Sequence, residues 1–246
     1  MIFLRGIIIT LSFLLVWQLS VIIFQLPAYI LPSPIQVFAA LYTNVNLIAQ
    51  ESLSTILETL IGLFLGTLLG SSLALMMTFF RPLKSWLLPL LIVSQALPTF
   101  AIAPLLVIWF GYGIASKIVT IMLMLFFPVA SAFFDGLRRT DSNWLDLANI
   151  MGASTWRTLW CIRIPAALPH FASGLRVATA TAPIGAIIGE WVGASHGLGF
   201  LMLNANARMQ IDLMFATLIV LVFLSLVLYF SIDKLLKYFI YWQKEN

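Results

Sequence analysis

Apolar residues in this chain run in long unbroken blocks rather than recurring at spaced positions. Six blocks stand out, over roughly 7–26, 53–79, 87–109, 113–134, 171–193 and 212–232. A helix needs about 20 mostly apolar residues to cross the hydrocarbon core of a bilayer. Inside lipid every backbone polar group must find its partner within the protein, which leaves helices or a closed barrel. The pattern therefore predicts an all-α, polytopic membrane protein with six transmembrane helices, and residues 1–246 read as one domain.

Breakers and polar residues separate the blocks. Leu31-Pro32-Ser33-Pro34 leads into a mildly amphipathic stretch ending near Glu51, Arg81-Pro82 divides spans two and three, and Gly111-Tyr112-Gly113 divides three and four. Residues 135–170 form the one long polar segment, and Gly193 to Asp212 reads as a loop containing Gly and Asn. The first block exceeds a signal-peptide h-region and no A-x-A-like site follows, so it reads as a retained span. Pro89, Pro98, Pro104, Pro128 and Pro183 lie within or near spans, where each permits a kink.

Composition agrees. The chain is 62% hydrophobic and 9% charged, against about 25% charged in soluble domains. A net charge of +4 would suggest nucleic acid in a soluble protein. Here the placement of cations explains it better. With the N-terminus inside, Arg5, Arg81, Lys84, Arg138, Arg139, Arg157, Arg163, Arg176, Lys234, Lys237 and Lys244 fall on the inner side, leaving only Lys117 and Arg208 outside. That asymmetry predicts both termini in the cytoplasm. A lone cysteine, Cys161, excludes an intrachain disulfide.

Two spans carry glycines four apart: Gly62, Gly66 and Gly70, and Gly185, Gly189 and Gly193. Each trio lines one helix stripe and admits another backbone closely, either within the subunit or across a dimer seam.

Residues 140–169 carry the strongest pattern. Asp141 and Ser142 are N-cap candidates, and Gly152 suits a left-handed helix end. Ser154 can cap a second helix through about Arg163, which Pro165 should stop. This segment resembles the cytoplasmic signature of the inner-membrane permeases of binding-protein-dependent ABC importers: E-A-A, three residues, G, nine residues, I-x-L-P. Asp146, Leu147 and Ala148 occupy the E-A-A positions, Gly152 the glycine, and Ile162, Ile164 and Pro165 the I-x-L-P positions. Asp, Leu and Ile stand where the signature has Glu, Ala and Leu.

The resemblance implies that residues 135–165 dock on an ATPase. The LPSP segment and Gly189-Glu190-Trp191-Val192-Gly193, followed by Gly197-Leu198-Gly199, resemble the branch importing taurine, alkanesulfonates, nitrate and thiamine pyrimidine precursors. It implies a bacterial inner-membrane permease working with two ATPase subunits, a second permease copy, and a periplasmic or lipid-anchored solute-binding protein. No nucleic-acid partner is implied, and ATP and Mg belong to the ATPase, with no cofactor on this chain. No G-x-x-x-x-G-K-[ST] phosphate loop occurs, which fits a non-catalytic subunit.

A secondary transporter would need ionisable residues near mid-membrane. Only Glu58 and Glu190 are candidates, both placed toward the outer ends of their spans; they are also the candidate pathway residues. Glu58 could instead serve a local polar pairing, and Glu190 could anchor a helix end or bind Arg208. Trp109, Phe110 and Tyr112 could stack on a flat ring or populate the interfacial aromatic belt. Two acids and no cation deep in the spans disfavour a strong anion as solute, leaving a thiamine pyrimidine precursor ahead of taurine, alkanesulfonate or nitrate.

Overall fold

A computed structural model describes residues 2–242, so Lys244 lies outside the described residues. Among the described residues eleven α-helices follow one another: α1 (Ile2–Ile23), α2 (Pro34–Thr43), α3 (Val45–Phe79), α4 (Arg81–Ala96), α5 (Thr99–Phe110), α6 (Ile114–Arg138), α7 (Ser142–Ile150), α8 (Thr155–Thr158), α9 (Ile164–Gly193), α10 (Leu198–Ala207) and α11 (Ile211–Phe239). The helices α3, α6, α9 (with α8) and α11 are each long and apolar enough to cross a membrane. The pair α4 and α5 makes a fifth crossing if counted as one. In α1 the stretch Leu11–Ile23 is a shorter apolar helix.

The element α6 is the axis of the fold, flanked by α3 and α9. Both glycine stripes exist for this packing. A methyl at Gly62 would stand 2.5 Å from Ile121 Cγ2, and one at Gly70 would stand 2.5 Å from the Phe126 carbonyl oxygen. From the other side Gly185 meets Ile121 and Gly189 meets Lys117, again on α6. The stripes are therefore spent within the subunit, not on a dimer seam. Around them Leu63, Ile121, Leu125, Val129, Ala178, Ala182 and Ala186 form a buried core.

Several boundaries differ from those the sequence predicts. The second span begins at Val45, absorbing the amphipathic stretch before residue 53. No Gly or Pro interrupts 45–61, and the hydroxyls of Ser52 and Thr59 donate to carbonyls four residues back, so polar side chains cost the helix little.

The third span is not one helix. It bends by 101° between α4 and α5. Pro98 supplies no N–H, and Leu97 before it takes an extended conformation at φ −82°, ψ 117°. Pro89, Pro104, Pro128 and Pro183 stay inside helices.

The stretch after Gly193 is not wholly loop, since α10 buries Leu198, Leu201, Met202 and Ala205. Nor does Pro165 stop a helix. Residues 159–163 form a π-helical turn in which the Ile164 N–H donates to the Leu159 carbonyl, and α9 continues directly. Pro165, in the first turn of α9, needs no donor partner there.

Candidate functional site

Two places in the molecule carry unusual chemistry. The first is α7. Asp141 caps it by accepting from the Asn143 N–H at 2.9 Å. Its end is a Schellman closure: the Ala153 N–H donates to the Ala148 carbonyl, the Gly152 N–H to that of Asn149, and Gly152 sits at φ +70°. Ser154 then caps α8 through the Arg157 N–H at 3.3 Å. Capping and turn thus form where the sequence predicts them.

What α7 presents is the telling part. Ala148 faces inward, whereas Trp144, Leu147, Ile150 and Met151 are 58–84% exposed. No other helix packs extensively on it. Asp146 is exposed beside this apolar surface and makes no ion pair among the described residues. Asp146, Leu147, Ala148 and Gly152 share one helix-and-turn. Ile162, Ile164 and Pro165 lie apart from it, half-buried at the junction into α9. A knob fused through α8 to the long α9 can pass a displacement into the bundle.

The second place is a buried polar network at the opposite end of α9. Glu58 and Glu190 are 3% and 1% exposed. Lys117, on α6, is 4% exposed and forms an ion pair with Glu58. The expectation of no buried cation is therefore wrong: Lys117 lies beyond the Gly113 break but still inside the bundle, where the missing side chain of Gly189 leaves it room. Glu58 also stands well inside α3 rather than near its start.

Glu190 does not meet Arg208. One carboxylate oxygen accepts from the Thr55 hydroxyl at 2.6 Å, and the other accepts from the Gly199 N–H at 2.5 Å. Thr55 Oγ1 in turn accepts from the Leu198 N–H at 2.8 Å. Glu51 accepts from the Gly197 N–H at 2.5 Å and lies 3.6 Å from His196. The carboxylates of α3 and α9 thus hold the backbone at the start of α10. Gly197, at φ +117°, abuts the Glu190 carboxylate so closely that a β-carbon has no place.

Sequence reasoning missed Glu51, Thr55 and Lys117. A signal existed for two of them: Glu51, Thr55 and Glu58 recur at helical spacing once α3 is extended back to Val45.

Beside this network a cavity of about 290 Å³ opens between α3, α9 and α11. Its walls are mainly apolar, from Ile56, Leu60, Pro183 and Leu224, and the Ser225 hydroxyl beside them donates to the Leu221 carbonyl. Trp109, Phe110 and Tyr112 are exposed at the end of α5 and do not line it. Among the described residues no group of three or more His, Cys, Asp and Glu side chains could hold a metal.

Comparison with known proteins decides the class. Residues 62–241 match the family described as binding-protein-dependent transport system inner membrane component. The chain belongs to this family. It is a membrane-spanning, non-catalytic permease subunit of an ABC importer. A probable ABC transporter permease protein of Haemophilus influenzae is 55% identical over 93% of each chain. The formylaminopyrimidine transport permease protein ThiX of Halalkalibacterium halodurans is 34% identical, covering 96% of this chain and 94% of that one. The riboflavin transport system permease protein RibX of Chloroflexus aurantiacus is also 34% identical, covering 97% of this chain and 90% of its own. In solved structures the fold resembles the MetNI methionine ABC transporter in an inward facing conformation. The TM-score is 0.67 at 19% identity, covering 78% of this permease and 96% of that chain. Family membership brings an ATPase and a solute-binding protein as partners of the permease.

Proposed function

We propose that the permease imports a small, flat, uncharged nitrogen heterocycle of the thiamine pyrimidine-precursor class, driven by an ATPase that presses on α7. The observation that carries the docking half is the exposed apolar surface of Trp144, Leu147, Ile150 and Met151, with Asp146 at its rim. Such a surface on a projecting helix is a docking face in search of a groove. Residues 135–165 are the docking segment, and Gly152 fixes the angle at which α7 meets α8. ATP and Mg reside on the ATPase; this chain binds no cofactor.

In this reading α7 lies in the cytoplasm together with both chain ends. Two ATPase subunits serve two permease copies of identical sequence. ATP binding draws the docked helices together and turns the path between the copies outward. Hydrolysis returns it.

The solute half rests on the cavity beside α9. Its apolar walls suit a flat ring better than a sulfonate, which would demand a free cation. Lys117 does not supply one, because Glu58 neutralises it. Two relatives are named for pyrimidine and flavin transport, both flat heterocycles. Glu58 and Glu190 serve the path from behind, setting the position of α10 at its outer end.

Reconstitution with the ATPase and binding protein tests the docking. Asp146→Arg should abolish ATP-driven uptake at unchanged insertion, and unimpaired uptake rejects it. Calorimetry on the binding protein tests the solute: tight binding of an aminopyrimidine supports the reading, and tight binding of taurine or an alkanesulfonate overturns it.

A further inference from the structure

A second cavity lies where α3, α4, α6 and α7 end together, on the α7 side of the bundle. It has a volume of about 290 Å³ and is lined by Thr78, Lys84, Phe134, Arg138, Leu145 and Arg163, among others. Three of the lining groups are cations and none is an acid. The ion pairs among the described residues involve other side chains, so nothing within ion-pair distance neutralises these three.

Lys84 and Arg138 both stand over the Phe134 ring, at 5.6 and 5.5 Å from its centroid. A ring face offsets only part of a cation's charge. Two cations on one ring, with a third across the cavity, repel one another unless an anion sits between them. Thr78 also lines the wall, its hydroxyl donating to the Ala74 carbonyl.

The height of the cavity points to the anion. Phe79 ends α3 next to it, with ring centroids 5.2 Å from Trp156, which lies 5.7 Å from Trp160. Both tryptophans are largely exposed. Exposed aromatics at the ends of spans sit at headgroup level. The remaining walls, Met77, Leu137 and Leu145, are apolar, as the glycerol and upper acyl region of an amphiphile requires.

We propose that this cavity binds the phosphate of an anionic phospholipid, from the leaflet on the α7 side. Guanidinium groups match phosphate oxygens in fork geometry, and the ammonium adds a point charge. Leu145 belongs to α7, so a bound headgroup ties the projecting helix to the ends of α3 and α6. The inference does not depend on the solute, on the ATPase contact, or on which leaflet faces the cytoplasm.

The test is native mass spectrometry on the full chain purified with its ATPase, offered phosphatidylglycerol or phosphatidylcholine of equal acyl chains. The wild type should retain phosphatidylglycerol preferentially. Arg163→Gln should weaken that preference roughly fivefold, and the triple variant Lys84→Gln, Arg138→Gln, Arg163→Gln by more than about tenfold. A control losing three distant charges (Arg5→Gln, Arg208→Gln, Lys234→Gln) should keep it. All three lining cations lie at least partly exposed, so the variants should fold, as a wild-type size-exclusion profile of the permease would report.

Equal retention of the two lipids overturns the proposal, as does an equal loss in the control. Displacement by millimolar inorganic phosphate would mark a soluble-anion site and reject the lipid. Lipid retained only when the ATPase is absent would assign the surface to the ATPase instead.

Discussion

Lys117 on α6 and Glu58 on α3 form an ion pair buried in the bundle, and Lys117 Nζ also lies 3.5 Å from the His196 carbonyl. The pair joins the axial helix to its largest neighbour and reaches the segment leading into α10. Its balance sheet is asymmetric. Removing one partner of a buried pair strands a charge, whereas replacing both with apolar groups of similar volume can be neutral. Glu58→Leu alone should therefore destabilise the permease by about 3–5 kcal/mol, and Lys117→Met alone by a similar amount. The double variant should melt closer to wild type than either single one. Thermal unfolding in nanodiscs checks this; additive losses in the double variant would deny the coupling.

Thr55 is the hinge of the second network, donating to Glu190 and accepting from the Leu198 N–H. Thr55→Val keeps the shape and removes both bonds. The loss of a buried hydrogen-bond partner costs about 1–3 kcal/mol. That cost should appear locally, as faster hydrogen exchange at Leu198 and Gly199, while the amides of α6 stay protected. Uniform exchange across the bundle would show that α10 is held by packing alone.

Gly152 separates backbone strain from crowding. An added β-carbon there meets nothing within 4 Å, but the backbone sits at φ +70°. Asn tolerates that conformation and β-branched residues do not. Gly152→Asn should keep most ATP-driven uptake, and Gly152→Val should lose it, at equal amounts of protein in the membrane. Equal activity of the two would mean that the angle between α7 and α8 has no part in coupling.

Gly70 presents the opposite case. Its backbone is helical, but a methyl would press on the Phe126 carbonyl oxygen and on Val129. Gly70→Leu should prevent close contact of α3 with α6 and cost at least about 1–3 kcal/mol, with a fall in folded yield by size-exclusion chromatography. A normal profile would show that the helices can separate without penalty.

These contrasts also explain how far the sequence could be read. Features fixed by neighbours in the chain were legible: the Asp141 and Ser154 caps, the Gly152 turn, the long apolar blocks. Features fixed by distant partners were not. Nothing near Lys117 announces Glu58, because the two meet only when α3 and α6 pack. Prolines show the same limit. Pro98 breaks its span while Pro128 and Pro183 do not, and the residues next to each proline do not distinguish the two outcomes. Pro165 was misread because a π-helical turn let the chain stay helical, and such turns leave no local mark.

The most direct test of the central claim uses a cysteine at Ile150, the most exposed apolar residue of α7, in a Cys161→Ser background. In membranes holding the assembled transporter, a short bifunctional thiol reagent should join Ile150→Cys to the ATPase, with a yield that changes when ATP is added. A membrane-impermeant maleimide applied to intact cells should leave it unlabelled. Labelling from outside, together with no cross-link to the ATPase, would contradict the account.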